Sequence, residues 1–204
     1  MIKTLSLLIL TLFIQSGLAG DKELLPDPKF EKSLDVWGVK ITEEYKGFVK
    51  PAVNDGVFSI KVPNASKGSY LVLYSAAEME NDKVYQLTLE MNLDKTNPIR
   101  FATNDREEKS PKKKGKKKKK KEPVKRDDKI VHMGLYKLVK DIEPGWQKHT
   151  LTFKAESISS KVTPHVKICL GGMKGNVEIR NCSLVELPEG GSPKAKGEHK
   201  SEAL

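Results

Sequence analysis

Nine lysines fill the ten positions from 112 to 121 except for one glycine: Lys112, Lys113, Lys114, Lys116, Lys117, Lys118, Lys119, Lys120 and Lys121. So dense a run of ammonium groups binds polyanions by releasing their counterions, with an affinity that falls steeply as salt rises. No aromatic side chain interrupts the run to stack on a base, so sequence-specific recognition of nucleic acid is not expected. Other reactive side chains are scattered. The four histidines, His132, His149, His165 and His199, show neither metal-ligand spacing nor a neighbouring nucleophile. His149 shares the inward parity of Leu151 and reads as a core histidine. No glycine-rich phosphate loop precedes a helix, and no pair of acidic residues stands apart from ordinary solvated surface. No catalytic residue and no metal ligand are assigned, and the chain reads as a binding protein, not an enzyme.

The elements that carry these groups begin after an export signal. Lys3, the apolar run from Leu5 to Ile14 and the small residues Gly17 and Ala19 follow the charge, core and cleavage order of a secretory signal peptide, residues 1–20. The run is about half of the roughly 20 residues that cross a bilayer as a helix, and no other segment is apolar enough, so no transmembrane segment is expected. Asp21 stands where a lipid-modified cysteine would be needed. A secreted or periplasmic location follows, which conflicts with any nuclear-localisation reading of the lysines. There the available anions would be envelope polymers, acidic polysaccharides or extracellular DNA. The formal charge of the chain is +10, yet the stretch from Asp105 to Lys129 alone holds a net +8, so the remainder is close to neutral.

Period-two alternation recurs outside the loops. Tyr85, Leu87, Leu89 and Met91 share one face against Gln86, Thr88 and Glu90. Phe58, Ile60 and Val62 stand against Ser59 and Lys61, Ile99 and Phe101 against Arg100, and Leu151 and Phe153 against Thr150 and Thr152. Strands are also expected over Tyr70 to Ser75 and Ile130 to Val139. Turn residues fall between them at Asn54-Asp55-Gly56, Asn81-Asp82, Pro144-Gly145 and Gly171-Gly172. Eight to ten short antiparallel strands predict an all-β sandwich or jelly roll over residues 21–187, a single domain. The lysine-rich insert, 104–129, has almost no apolar residues to bury and is expected to be a disordered loop between two strands. The tail, 188–204, is expected to be disordered as well. Val166, Ile168 and Leu170 alternate on one face and turn Cys169 to the other, whereas the pattern through Leu184 points Cys182 inward. Side chains on opposite faces cannot reach the Cβ separation a disulfide needs, so two unpaired cysteines are the default. Asn64-Ala65-Ser66 and Asn181-Cys182-Ser183 fit the glycosylation triplet.

The order LLPDPKFEKSLDVWGV, NDGVFSIKV, KVYQLTLEMN, PGWQKHTLTFKA and GNVEIRNCSLVEL resembles carbohydrate-binding modules of families 4 and 9, within the galactose-binding-like jelly rolls. Phe30, Glu31, Trp37, Tyr85 and Trp146 match that pattern. The resemblance implies a module that holds a poly- or oligosaccharide in a groove on one sheet without cleaving it. It also implies that Trp37 and Trp146 pack in the core. Related jelly rolls hold a structural calcium through oxygens of the N-terminal segment and the last strand. Here Arg180 replaces an acidic residue of that strand, so calcium is doubtful, and a pairing of Arg180 with Glu31 is expected instead. No other cofactor is implied.

A sugar platform needs aromatic rings at outward strand positions with polar groups at their edges. Tyr45, Phe48, Tyr74, Arg100 and Tyr136 are the candidates. In the strand that carries Tyr136, one face holds His132, Gly134, Tyr136 and Leu138 and the other Met133, Leu135 and Lys137, and either could face out. A glycosidase would need two carboxylates held about 5 to 10 Å apart, one with a raised pKa, which the pattern does not offer. The alternative reading is a structural or adhesive envelope protein without a sugar site, gripping anionic polymers through the nine lysines.

Overall fold

A computed structural model of the chain describes residues 22–32, 34–43, 46–63, 71–107, 129–188 and 198–204. Residues 1–20, read from the sequence as an export signal, Tyr45, Asn64 and all nine lysines from Lys112 to Lys121 lie outside the described residues. The described residues form eleven strands: β1 (Gly38–Ile41), β2 (Ala52–Asn54), β3 (Val57–Val62), β4 (Leu71–Ala76), β5 (Val84–Leu93), β6 (Asn97–Glu107), β7 (Lys129–Ile142), β8 (Gly145–Lys154), β9 (His165–Cys169), β10 (Gly175–Leu187) and β11 (Glu198–Ala203). Among the described residues there is no helix, hence none long and apolar enough to cross a membrane.

All pairings are antiparallel, in a five-stranded sheet of order β1-β4-β9-β6-β7 and a six-stranded sheet of order β11-β8-β5-β10-β3-β2. The alternation read from the sequence decides which faces meet. β5 strictly alternates half-buried and buried residues, and its Tyr85, Leu87, Leu89 and Met91 join Phe58, Ile60, Leu151, Phe153, Val177 and Ile179 on the inner face of the larger sheet. Leu71, Leu73, Ile99, Phe101, Leu135, Val166 and Ile168 line the facing surface. The two sheets thus bury one shared apolar layer, the sandwich the pattern predicts.

Two irregularities keep this layer in register. In β10 the pairing with β5 shifts between Arg180 and Ser183, with Asn181 at φ 51°. This bulge inserts one residue, so that Cys182 and Leu184 point inward after Ile179 although three positions separate Ile179 from Cys182. In β7 the register with β6 slips between Ala102↔Tyr136 and Asn104↔His132. Thr103, fully buried, closes the gap. Its hydroxyl donates to the Met133 carbonyl and accepts the Leu135 N–H, both at 2.9 Å.

The N-terminal segment is stitched to the sandwich by carboxylates. Glu23 Oε1 accepts N–H groups from Leu25 and Leu184. The Asp27 carboxylate, 3% exposed, accepts those of Glu31 at 2.9 Å and Lys32 at 3.0 Å, and the Asp27 carbonyl accepts the Trp37 indole N–H at 2.7 Å. This turn seats Phe30 against Trp37 and Phe58, with ring centroids 5.0 and 6.1 Å apart. Asp27→Ala would leave two part-buried hydrogen bonds of this turn unmade and is expected to destabilise the fold by about 1–2 kcal/mol, read as a lower urea midpoint at unchanged slope.

Three sequence expectations are corrected here. The C-terminal tail is not uniformly irregular: Glu198–Ala203 forms β11, paired with β8 from Glu198↔Thr152 to Ala203↔Gln147. Backbone hydrogen bonds hold a polar edge strand that shows no apolar alternation. The insert is entered later and left earlier than 104–129, because β6 continues to Glu107 and pairs it with Lys129 at the start of β7. Trp37 is in the core at 1% exposure, but Trp146 is not. It has the outward parity of Lys148 and Thr150 on β8 and lies half-buried on the outer face of the larger sheet.

Candidate functional site

The outward side chains of the five-stranded sheet form rows across its strands. Register places Tyr74 on β4 opposite Lys167 on β9, Lys167 opposite Ala102 on β6, and Ala102 opposite Tyr136 on β7. A second row runs from Lys40 through Val72, Cys169 and Arg100 to Leu138. Three of the sequence candidates, Tyr74, Arg100 and Tyr136, therefore share one surface although they lie on three strands. At roughly 4.8 Å between strands, the two tyrosines stand about 14 Å apart along their row.

Each ring is held by its neighbours. Gly38 lies opposite Tyr74, and a Cβ there would sit 2.3 Å from Tyr74 Cζ, so the missing side chain lets the phenol lie against the sheet. His165 meets that ring edge-on with centroids 5.6 Å apart. Tyr136 is 51% exposed; the Arg100 guanidinium lies 5.1 Å from its ring centroid, and His132 approaches edge-on at 4.8 Å. Met133 and Leu135 are fully buried, which resolves the two open faces of β7 in favour of Tyr136 and Leu138 pointing out.

Beside Tyr74 the surface sinks into a cleft of about 300 Å³ lined by Lys40, Val72, Tyr74, Asn104, Asp105, Ile130, His165 and Lys167. Lys167 Nζ donates to Asn104 Oδ1 at 2.7 Å. Asp105 Oδ2 accepts the Thr163 N–H at 3.2 Å and stands 3.7 Å from His165 Nδ1, too far for a hydrogen bond. Burial pushes the Cys169 thiol above its ordinary pKa, and the charges of Arg100 and Lys167 partly pull it back. The two cations thus act on one point in the middle of the face. Cys182 is buried in the core, and both cysteines are free thiols.

Sequence reasoning did not select Lys40, His165 or Lys167. The signal was present for two of them, since HVKIC gives His165 and Lys167 the outward parity of Cys169. Phe48 lies on the loop between β1 and β2, 78% exposed, and is not among the residues that line the cleft. Tyr45, a candidate by sequence, lies outside the described residues.

The outer face of the larger sheet holds a different cluster. Arg180 does not pair with Glu31. It stacks on Trp146, 4.1 Å from the ring centroid, and its Nε donates to Glu90 Oε2 at 2.6 Å. Register brings Arg180 opposite Glu90 and Asn92 opposite Trp146. Burial pushes the Glu90 carboxyl up, but hydrogen bonds from Arg180 and Asn181 and the nearby cationic charge outweigh it and hold it below its ordinary value. These residues do not fit the calcium site of related jelly rolls, because Asp27 and Glu23 spend oxygens on backbone amides and Arg180 occupies the last-strand position. Among the described residues no group of three or more His, Cys, Asp or Glu is placed to hold a metal ion.

No protein-family profile matches the chain, and no curated protein matches it. Solved structures do. A family 4 carbohydrate-binding module superposes with a TM-score of 0.50 at 12% identity, covering 79% of this chain and 90% of that one. An arabinose-bound family 51 α-L-arabinofuranosidase gives 0.51 at 14% identity over 84% of this chain, which spans only 27% of the enzyme. A family 16 carbohydrate-binding module gives 0.47 at 11% identity, covering 80% and 99%. The chain has the antiparallel jelly-roll fold of carbohydrate-binding modules.

Proposed function

We propose that the protein is a secreted or periplasmic, non-catalytic module that holds a poly- or oligosaccharide across the outer face of the five-stranded sheet. The observation that carries this reading is the shared row of Tyr74 and Tyr136 with hydrogen-bonding side chains between and beside them. Flat ring faces suit the C–H faces of pyranose sugars, and polar edges orient the hydroxyls. The jelly-roll fold, common to binding modules named for carbohydrate, agrees with it.

Tyr74→Ala and Tyr136→Ala are each expected to weaken binding roughly tenfold, about 1–2 kcal/mol of lost contact, while leaving the melting temperature within a few degrees. Polysaccharide-retardation gels and a broad glycan array read the first effect, circular dichroism the second. Absence of retention on every glycan tested would sink the reading.

The second reading, an adhesive envelope protein acting through its nine lysines, is favoured by where the insert is tethered. It leaves β6 after Glu107 and returns at Lys129, one rung from Ile130, which lines the cleft. Deleting Lys112 to Lys121 separates the two readings. Binding that vanishes with the deletion and with added salt belongs to the insert, whereas salt-tolerant binding that survives belongs to the sheet.

A further inference from the structure

We infer that Gly38 is a positioning residue of the proposed sugar site: by carrying no side chain it lets the Tyr74 ring lie face-down on β1 and turn its other face outward for stacking. The inference rests on the reading of this face as a carbohydrate site and adds what sets the attitude of its ring. Three distances define that attitude. A Cβ built on Gly38 would sit 2.3 Å from Tyr74 Cζ, 2.6 Å from the phenol oxygen and 2.7 Å from Cε1. A point in the plane of the ring, beyond its rim, would be nearer to the oxygen or to a neighbouring ring carbon than to Cζ, which they flank. Here Cζ is the nearest atom and its two bonded neighbours are almost equally far, so the point lies beneath the ring, along the normal at Cζ. The phenol therefore covers Gly38 with one face and turns the opposite face away from the sheet. In that attitude an aromatic ring meets the C–H face of a pyranose.

When the space is filled, the ring gives way and the backbone does not. Trp37, next in the chain, is buried at 1% exposure, donates its indole N–H to the Asp27 carbonyl at 2.7 Å and packs on Phe30. On the other side of Gly38, Val39 packs against the core. β1 is thus pinned from beneath. The atoms a Cβ would strike belong to the far end of a side chain, which can leave by changing rotamer. Gly38 is not among the positive-φ residues, so an alanine there meets no backbone strain. A ring laid over a glycine of an edge strand also shields bare backbone, and the experiment has to separate that support of β1 from the placing of the ring.

The full chain and its Gly38→Ala, Tyr74→Ala and double variants are run in retardation gels with xylan, mixed-linkage β-glucan and dextran, and proton NMR reads the ring. A proton beneath a ring face resonates upfield. One Gly38 Hα is therefore expected upfield of its ordinary position in the parent chain and back at that position in Tyr74→Ala. Gly38→Ala is expected to weaken retention roughly tenfold, as much as Tyr74→Ala does, with a melting temperature within a few degrees of the parent's. In the double variant the two losses are expected not to add, because a residue that acts through Tyr74 has nothing left to position once the ring is gone.

Retention of Gly38→Ala at the parent's level while that of Tyr74→Ala is lost would overturn the inference and leave the sugar-binding reading standing. Additive losses in the double variant, or a Gly38→Ala chain that melts far below the parent, would also overturn it and make Gly38 a support of β1 alone. An ordinary Gly38 Hα resonance in the parent would overturn it at the level of the ring. Failure of all three polymers to retain the parent would overturn the sugar reading and the positioning role together, and the Gly38 resonance then shows whether the ring's attitude or the ligand class was at fault.

Discussion

Replacing Gly134 by alanine is expected to destabilise the protein by about 3 kcal/mol or more and to weaken the proposed sugar binding with it. Two costs meet at this position. Its φ of 103° lies in a region that side chains rarely adopt. A Cβ there would also sit 2.0 Å from the Lys154 carbonyl oxygen and 3.1 Å from Ala155 Cα. Those are backbone atoms of the other sheet, so the collision cannot be relieved by a rotamer change. Gly145 provides the control. Its φ is 96°, but an added Cβ meets nothing within 4 Å, so Gly145→Ala carries backbone strain alone, about 1–2 kcal/mol. Urea denaturation of both variants reads the difference. Equal losses would show that β7 can move away from β8 freely. Because Gly134 sits in the slip that Thr103 bridges, two residues before Tyr136, a rearrangement there also misplaces the Tyr136 ring.

What the sequence made legible, and what it did not, divides along the same physical line. Parity is local: each strand carries its own alternation, so Phe58, Leu87, Leu151 and Ile179 announce their inward faces, and Arg100 its outward one, without reference to any other strand, whereas the alternation around Tyr136 left both faces open. Proximity is not local. That β4, β9, β6 and β7 lie side by side, so that three outward residues form one surface, depends on which strands pair. Register between β5 and β10 likewise gives Arg180 to Glu90 instead of Glu31. Trp146 misled for a related reason. The resemblance to modules that bury a tryptophan at this place suggested the core, whereas its parity with Lys148 and Thr150 put it outside, stacked under the Arg180 guanidinium. β11 was illegible because an edge strand paired through its backbone needs no apolar face, and five of its six residues are exposed.

The one half-buried residue of that strand is His199, and it ties the C-terminal edge to a buried group whose charging opposes folding. His149 is fully buried on the inner face of β8, beside Phe101 at 6.3 Å. Its Nδ1 lies 3.0 Å from His199 Nε2, with the rings stacked 5.3 Å apart. Burial, and then the proximity of His199, depress the His149 pKa from 6.5 to about 4. Burial and the charge of Lys137 on β7 lower that of His199 too. Above pH 6.5 both the folded and the unfolded chain hold His149 neutral, and its burial carries no penalty. As the pH falls from 6.5 towards 4 the unfolded chain takes up the proton first, so stability is lost across that window, by up to about 3 kcal/mol. Below it the folded state charges as well, and the shared hydrogen bond fails because two protonated imidazoles present N–H against N–H. His149→Leu is expected to flatten this acid limb: the difference in urea-unfolding free energy between pH 7 and pH 4.5 should shrink by about 2 kcal/mol relative to the parent chain. Amide hydrogen exchange gives the spatial check, with β11 losing protection before β5 does as the pH is lowered. An unchanged acid limb in His149→Leu would place the acid sensitivity in other groups, and the histidine pair would then be a packing contact alone.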